Sequence, residues 1–309
     1  MKPSQLLLGC AFALTMGQFL AACQQDIDVN LPAYHSKLVL ECYLKDGQPV
    51  RLSLVESQSY LAAGDNPLVE KATVLLTYQG QQDTIPNVPY VDPATRKAYN
   101  YSSVKRIRAC YNVPYTLTIL DTKGRKVTAV THFIRSVPIT SLTPVFNGKG
   151  EAYGLTKFQD NPAEKNFYRL TLTRNRRVDT LSLNALIDDA FSNGKEINWG
   201  SGYSFRQGDT LHARLYHCTE DYYKFLSTSQ TARQANVNPF AASGEVVSNV
   251  QGGLGIFATL TYSYKTAVVP WLHNCEPIHE CPPKGASFQW QSGGHDLDEI
   301  VVRCLQLYS

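Results

Sequence analysis

The β-structure of this chain is clearest in the stretch Tyr115-Thr-Leu-Thr-Ile-Leu-Asp-Thr-Lys-Gly-Arg-Lys-Val-Thr-Ala-Val-Thr-His-Phe133. Apolar and polar residues alternate from Tyr115 to Leu120 and again from Val127 to Phe133, which is the period of a half-buried β-strand. Between these runs, Asp121-Thr-Lys-Gly124 is typical of a hairpin loop that contains glycine. The stretch therefore predicts an antiparallel β-hairpin.

Further strand-like segments precede this hairpin. They are rich in Val, Leu, Thr and Tyr and are separated by turn residues; they comprise Lys37–Leu44, Val50–Leu61 and Ala72–Gln79. About seven short strands with turns between them are typical of an immunoglobulin-like β-sandwich. We therefore expect such a sandwich over residues 37–135.

A second β-rich region follows the segment Ser136-Val-Pro-Ile-Thr-Ser-Leu-Thr-Pro144. Two prolines in this segment discourage regular strand pairing and predict a linker. Strand-like segments then resume at Asn166–Thr173, Val178–Leu183 and Thr210–Cys218. We expect residues 145–309 to form a second, β-rich domain, so that the fold class of the whole chain is mostly β.

One short helix is predicted in this second domain, beginning at Thr219. The Thr219 side-chain oxygen can cap free backbone amides, and Glu220-Asp221 suits the positive end of the helix dipole. Four residues recur on one face at helical spacing, which indicates a core-facing stripe: Tyr222, Phe225, Leu226 and Ser229. Asparagine and proline within residues 236–239 predict the end of the helix.

The N-terminus predicts a lipid anchor. Lys2 precedes the apolar run Leu6–Leu20, which has the length of a signal-peptide core and is too short to span a membrane. Leu20-Ala-Ala-Cys23 resembles the bacterial lipobox, in which a peptidase cuts before a cysteine that carries lipid. We expect residues 1–22 to be a lipoprotein signal peptide, Cys23 to be acylated with palmitate, and residues 23–36 to be a tether. The alternative is an ordinary secretory signal that is cut at another bond.

Charge and hydropathy limit the other partners of the chain. The formal net charge is +3, and no basic stripe of the kind found in nucleic-acid binders is present. No second run of 18 or more apolar residues follows the signal, so we expect the rest of the chain to lie in water. The expected membrane contact is therefore the acylated Cys23 in the lipid bilayer, which holds the chain effectively permanently when two or three acyl chains are attached.

Six cysteines remain once Cys10 leaves with the signal and Cys23 is acylated: Cys42, Cys110, Cys218, Cys275, Cys281 and Cys304. An even number of cysteines in an exported protein favours disulfides. We expect the pairs Cys42–Cys110, Cys275–Cys281 and Cys218–Cys304. Cys275 and Cys281, with His279 between them, also permit a zinc site, although their spacing matches no common zinc module.

The glycine-rich segment Gly252-Gly-Leu-Gly255 permits two interpretations. Glycine amides can cradle a phosphate, but no Lys-Ser/Thr follows, and Ile256–Tyr262 continues as a strand rather than a helix. The other interpretation is structural: Gly252, Gly253 and Gly255 would allow a close approach to a neighbouring sheet, where side chains would clash. We favour the structural interpretation.

No arrangement of residues indicates catalysis. The Gly-x-Ser-x-Gly signature is missing from the sequence, and His132, His212 and His217 have no acidic partner at a telling spacing. Asp188-Asp189 and Asp296-Leu-Asp298 could serve acid–base chemistry or bind calcium, but such pairs occur by chance in most chains of this length. We expect no catalytic residue, no cofactor and no metal.

Aromatic residues are the remaining candidates for recognition. Eighteen tyrosines and three tryptophans are more than core filling alone suggests. Exposed aromatic rings can stack on sugars or anchor a protein partner. Tyrosine also suits half-buried strands, and we expect this preference to explain most of them.

Several segments carry a resemblance to a known family. They run through nearly the whole mature chain and comprise Cys23-Gln-Gln-Asp-Ile-Asp-Val-Asn-Leu-Pro32, Phe158-Gln-Asp-Asn-Pro162, Asn166-Phe-Tyr-Arg-Leu170, Asp221-Tyr-Tyr-Lys-Phe-Leu226 and Ser248-Asn-Val-Gln-Gly-Gly-Leu-Gly-Ile-Phe257. Together they resemble a Bacteroidota family of outer-membrane lipoproteins, domain of unknown function 4249, and the last segment is the most specific. The tail departs from the family pattern, because Cys275 and Cys281 stand farther apart than its close pair and Cys304 is extra.

The resemblance implies a function without catalysis. Members of this family often lie beside genes for TonB-dependent outer-membrane transporters, and the family has no established catalytic residues. The polar start Gln24-Gln-Asp26 is similar to the surface-export signal of Bacteroidota lipoproteins. We therefore expect an outer-membrane lipoprotein, facing the cell exterior, that helps a TonB-dependent nutrient transporter by binding ligand, transporter or both. The alternatives are a structural or adhesive surface module without a nutrient ligand, and a hydrolase.

Overall fold

Strands form most of the structure, as the alternating sequence predicts. The computed structural model describes residues 34–59, 62, 64–175, 181–237 and 244–271. This part of the chain is mostly β and contains one helix, α1 (Glu220–Val237). Its strands are β1 (Leu38–Lys45), β2 (Pro49–Glu56), β3 (Ala72–Tyr78), β4 (Gln81–Thr84), β5 (Tyr90–Val91), β6 (Ala98–Tyr99), β7 (Tyr101–Arg106), β8 (Pro114–Asp121), β9 (Lys126–His132), β10 (Ile139–Phe146), β11 (Ala152–Gln159), β12 (Phe167–Arg174), β13 (Leu181–Asp188), β14 (Glu196–Gly200), β15 (Thr210–Cys218), β16 (Val250–Gln251) and β17 (Leu254–Val268).

Backbone hydrogen bonds join these strands into sheets. The largest sheet has seven strands in the order β13-β12-β15-β17-β1-β2-β7. A five-stranded sheet has the order β16-β9-β8-β3-β4, a three-stranded sheet has the order β10-β11-β14, and β5 pairs with β6. The result is a β-sandwich architecture in which the seven-stranded sheet takes part in two separate hydrophobic cores.

The first core lies between the five-stranded sheet and strands β1, β2 and β7. The predicted hairpin forms strands β8 and β9, with Tyr115 opposite Thr131 and a turn in which Gly124 has a φ of +77°. Because β8 buries every second residue, Tyr115 faces the core. There its ring packs between the rings of Tyr78 and Phe133, at centroid distances of 5.1 and 5.2 Å.

The second core lies between the three-stranded sheet and strands β12, β13 and β15. Its fully buried side chains come mainly from these strands and include Phe158, Tyr168, Leu170, Leu172, Leu211 and Leu215. This core forms from residues 139–269.

Strand β17 connects the two cores. The first part of this 15-residue strand pairs in parallel with residues 39–45 of β1, and the second part pairs antiparallel with residues 210–217 of β15. Val250 and Phe257 therefore pack in the first core, although they lie within the range 145–309 that the sequence assigns to the second domain. The two cores therefore do not divide at the predicted start of the second domain, because strand β17 lines both cores.

The predicted linker contains a strand. Strand β10 occupies Ile139–Phe146, and Pro144 lies opposite Gly154 of β11. Proline has no backbone N–H to donate, but β10 is an edge strand of its sheet, so its outer side needs no ladder partner. Pro144 therefore lies in an edge strand rather than in an irregular linker.

The helix begins where the sequence predicts. The Tyr222 amide donates to the Thr219 side-chain oxygen at 3.4 Å, and α1 ends at Val237. Tyr222, Phe225 and Leu226 pack on the side of the seven-stranded sheet that faces away from the two cores. No helix among the described residues is long and apolar enough to cross a membrane. The predicted signal peptide and Cys23 lie outside the described residues.

Candidate functional site

The glycine-rich segment lies between two sheets and packs backbone against backbone. A Cβ atom on Gly252 would lie 2.4 Å from the Lys126 carbonyl oxygen, and one on Gly255 would lie 1.8 Å from the Leu40 carbonyl oxygen. Gly255 also has a φ of +114°, which side-chain-bearing residues rarely adopt. A Cβ on Gly253 would lie 2.7 Å from another carbonyl oxygen, that of Leu38. Neighbouring backbone therefore fills the space in which a side chain would lie at Gly252, Gly253 and Gly255, which supports the structural interpretation of this segment.

Asn249 strengthens the same junction. Its side-chain amide donates to the Phe257 carbonyl oxygen at 2.8 Å, and the Phe257 amide donates to Asn249 Oδ1 at 3.0 Å. Asn249 immediately precedes β16 of the five-stranded sheet, whereas Phe257 belongs to the seven-stranded sheet. The segment 248–257 is therefore a clasp between the two layers of the first sandwich.

The segments around Asp160 and Asn166 form a buried polar network. The Tyr168 hydroxyl donates to Asp160 at 2.6 Å, and the Asn166 amide donates to Asp189 at 2.7 Å. His217 Nε2 lies 3.0 Å from Asn166 Oδ1, and the His217 ring stacks on Tyr168. Burial, with the negative charge of Asp160, raises the pKa of Tyr168 above its usual range. These groups satisfy one another inside the protein, so we assign them a structural role.

The described cysteines carry no disulfide. Cys42, Cys110 and Cys218 are free thiols. The predicted Cys42–Cys110 bridge is absent because Cys42 is fully buried in the middle of β1, whereas Cys110 is only half-buried and lies beside Tyr115.

Cys218 is buried among the side chains beneath α1, and its predicted bridge to Cys304 involves a residue outside the described part of the chain. Cys304 itself and the predicted Cys275–Cys281 pair lie outside the described residues, as do the zinc alternative at these cysteines and the acidic pair at Asp296 and Asp298.

The most distinctive surface is the side of the seven-stranded sheet that faces away from the cores. Residues directly opposite each other on paired strands point to the same side of a sheet. Such pairs are Tyr216 with Tyr262, Arg214 with Tyr264, and Arg169 with Tyr216. The even-numbered residues of β1 face the first core, so its odd-numbered residues face this side as well. We call this surface the tyrosine–cation face and define it by Tyr43, Lys45, Arg51, Lys97, Arg169, Arg214, Tyr216, Tyr262 and Tyr264.

Helix α1 covers only one end of the tyrosine–cation face. The Tyr222 ring of the helix meets the Tyr43 ring edge-on at a centroid distance of 5.7 Å. Farther along β17, Tyr262 and Tyr264 remain 46% and 50% exposed. The Tyr262 ring lies 5.2 Å from the Tyr216 ring, and the Tyr264 hydroxyl lies 2.5 Å from His212 Nδ1. Two neighbouring rings are therefore both accessible and held in place.

The positive charges of the face are only partly neutralised. Arg51 lies 4.0 Å from Asp92, and Lys97 forms an ion pair with Glu41. Elsewhere on the face, no carboxylate of the described residues lies within ion-pair distance of three cations, which are Lys45, Arg169 and Arg214. Cations without a carboxylate partner leave the face with an excess of positive charge.

Several of these cations are close enough to interact. Burial lowers the pKa of Lys45 below its usual range, and the positive charges of Arg51, Lys97 and Arg214 lower it further, against the opposing effect of Asp92. The Arg214 guanidinium also lies 5.5 Å from the centroid of the Tyr264 ring. A bound anion would reduce the repulsion among these groups.

The residues of this face do not stand out in the sequence. The chain has eighteen tyrosines, and the preference of tyrosine for half-buried strands is expected to explain most of them. The signal that could have found the face is the period of two in Tyr43-Leu-Lys45, Arg214-Leu-Tyr216 and Tyr262-Ser-Tyr264, which places both outer residues of each triplet on one side of a strand. Their proximity depends on the pairing of β1 with β17, which the sequence alone does not reveal.

Similarity to known proteins comes from solved structures and from a family model. No curated protein matches the sequence. Two solved structures, both described as a cytokine receptor complex, are 10% and 11% identical to this chain, with TM-scores of 0.25 and 0.26. They cover 74% and 58% of this chain, which in turn covers 96% and 90% of theirs. The family model, that of the domain of unknown function DUF4249, matches residues 24–266, and the chain therefore belongs to this family.

Proposed function

We propose that this chain is a non-catalytic, lipid-anchored lipoprotein on the outer face of the outer membrane, where it binds a ligand for a TonB-dependent nutrient transporter. The observation that supports ligand binding is the tyrosine–cation face, which combines exposed rings with cations that lack a carboxylate partner. Leu20-Ala-Ala-Cys23 supports the lipid anchor. The family resemblance described above supports the uptake role, because genes of family members often lie beside genes for TonB-dependent transporters.

The point at which the tether joins the fold supports a ligand-binding face that stays accessible. The Ser36 hydroxyl donates to Glu56 at 2.5 Å, and Arg125 donates to Glu56 at 2.9 Å and contacts Ser36 at 3.3 Å. The chain therefore enters the fold at one fixed point, next to the start of β1. An eight-residue strand places Lys45 about 23 Å from Leu38 at roughly 3.3 Å per residue. Lys45 of the tyrosine–cation face therefore lies at the end of β1 that is remote from Ser36.

Purification of the native protein tests the proposal. A tagged chain, extracted from membranes in a gentle detergent, is expected to bring a TonB-dependent transporter with it. A Cys23→Ala variant is the control for the anchor and should be recovered outside the membrane fraction. Recovery of the intact lipoprotein without any transporter would contradict the uptake role.

Growth of a deletion strain separates uptake from the alternative function. If the chain serves uptake, its deletion should slow growth on a limiting nutrient and leave surface attachment normal. Normal growth with impaired attachment or envelope integrity would instead support the structural or adhesive function.

A further inference from the structure

We propose that the tyrosine–cation face binds a carboxylated glycan, with Lys45 and Arg214 contacting the acidic groups and Tyr262 and Tyr264 contacting the sugar rings. This inference rests on the proposed ligand-binding function and names the class of ligand. It follows from two features of the face, its charge and its rings.

The charge of the face favours an anionic ligand. Lys45 is half-buried, and neither it nor Arg214 has a carboxylate within ion-pair distance among the described residues. Removing a cation from water is costly unless a counter-charge or hydrogen bonds replace the lost hydration. Two such cations without a carboxylate at ion-pair distance are therefore suited to acidic groups that arrive with a ligand. The guanidinium of Arg214 can in addition bind a carboxylate through two parallel hydrogen bonds.

The rings of the face suit a sugar. Tyr262 and Tyr264 are separated by one residue on β17, so their side chains are about 7 Å apart along the strand. Each ring offers an apolar surface for the C–H groups of a sugar and a hydroxyl for hydrogen bonding. The Tyr216 and His212 contacts hold these rings in position, which lowers the entropic cost of binding.

The backbone of the face bears on the choice between a glycan and an acidic peptide. Peptides commonly bind by adding a strand to a free sheet edge or by inserting apolar side chains into a groove. Strands β15 and β1 each have a partner strand on both sides, whereas beside Tyr262 and Tyr264 strand β17 pairs with β15 on one side. A glycan needs neither a free edge nor an apolar groove, because it can lie across the two exposed rings, and the hexaglutamate peptide described below tests the other possibility.

Calorimetric titration of the lipid-free mature chain tests this inference. The probes are hexasaccharides of galacturonate, of mannuronate and of hyaluronan, together with the methyl ester of the galacturonate hexasaccharide, which lacks the negative charge. At least one acidic probe should bind, should bind more weakly at high salt, and should lose its binding when esterified. A hexaglutamate peptide tests the other class of anionic ligand.

Matched variants locate the site. Lys45→Gln and Arg214→Gln should each weaken binding about tenfold, because each removes a charged hydrogen-bond donor to the ligand. Tyr262→Ala tests the stacking contribution and should weaken binding several-fold. Lys149→Gln and Lys195→Gln remove the same charge from exposed positions on other loops and should leave the affinity unchanged within twofold. Thermal unfolding of every variant shows whether the fold is retained.

Three results would overturn the inference: no binding of any acidic glycan, equal binding of the methyl ester or of hexaglutamate, or unchanged affinity in the folded Lys45 and Arg214 variants. Transporter co-purification is measured separately. A chain that brings the transporter with it but binds no acidic glycan would remove this inference and leave the uptake role in place. A chain that binds the glycan but brings no transporter with it would remove the uptake role and leave this inference in place.

Discussion

Asn249 and Phe257 exchange two hydrogen bonds, in which the Asn249 side chain takes the place of a neighbouring strand. The amide donates to the Phe257 carbonyl at 2.8 Å and its oxygen accepts from the Phe257 amide at 3.0 Å. Phe257 is fully buried, so its backbone groups cannot turn to water if the partner is lost.

Replacing this asparagine should therefore destabilise the protein. Asn249→Ala leaves two backbone groups without their partner, and we expect the free energy of unfolding to fall by about 2 kcal/mol. Chemical denaturation measures this change. Gln251→Ala, at an exposed position two residues further on, is the control and should change the stability by less than about 0.5 kcal/mol. Equal stability of the two variants would contradict the role of the clasp.

Gly255→Ala should be more damaging than the loss of Asn249. The added Cβ would lie 1.8 Å from the Leu40 carbonyl oxygen, at a φ of +114°. Because this contact is with backbone, β17 and β1 would have to move apart, and we expect a loss of about 4 kcal/mol or failure to fold. Gly148→Ala is the matched control, since no atom lies within 4 Å of the position that its new methyl group would take and its φ is not positive. A soluble Gly255→Ala protein with normal stability would contradict the close packing.

The tether attachment should depend on pH through Glu56. Hydrogen bonds from Ser36, Lys123 and Arg125 lower the pKa of Glu56 from 4.5 to about 2. Because the pKa of the folded state is the lower one, the carboxylate stabilises the fold above pH 4.5, and this contribution is lost as the pH falls from 4.5 towards 2. Denaturation curves of the wild type and of Glu56→Gln should therefore differ at pH 7 and converge near pH 2. A constant difference across this range would exclude the ionised Glu56 as its source.

The three described cysteines should differ in their reactivity towards alkylating reagents. Burial raises the pKa of Cys218 to about 12 and raises the pKa of Cys42 well above its usual range. Only the thiolate reacts, so both should stay unmodified by iodoacetamide at pH 8 in the folded protein. Cys110 is half-buried and should be modified first. Peptide mass spectrometry measures the order, and a Cys42–Cys110 disulfide in the native protein would contradict the structure.

Local sequence patterns predicted local structure well in this chain. The alternation in Tyr115–Phe133 corresponds to strands β8 and β9, and Thr219 caps the helix as expected. Both features depend on residues that are close in sequence. The segment around Pro144 shows the limit of such reasoning, because a proline that interrupts an interior strand is tolerated in an edge strand, and sequence alone does not identify the edge.

The candidate site depends on contacts that no local pattern contains. Val39 lies opposite Leu254 in a parallel pair, although the two residues are more than 200 positions apart in the chain. This pairing brings Lys45 of β1 near Arg214 of β15, on either side of β17. The sequence shows the alternation of residues within each strand. It does not show which strands are neighbours in the sheet.

The position of β17 also sets the order of events when the protein is made. Strand β1 is among the first parts of the mature chain to be synthesised, and its parallel partner is among the last of the described strands. The N-terminal sandwich therefore cannot be completed before residues 250–260 are available, because Val250 and Phe257 fill its core and β17 covers one side of β1.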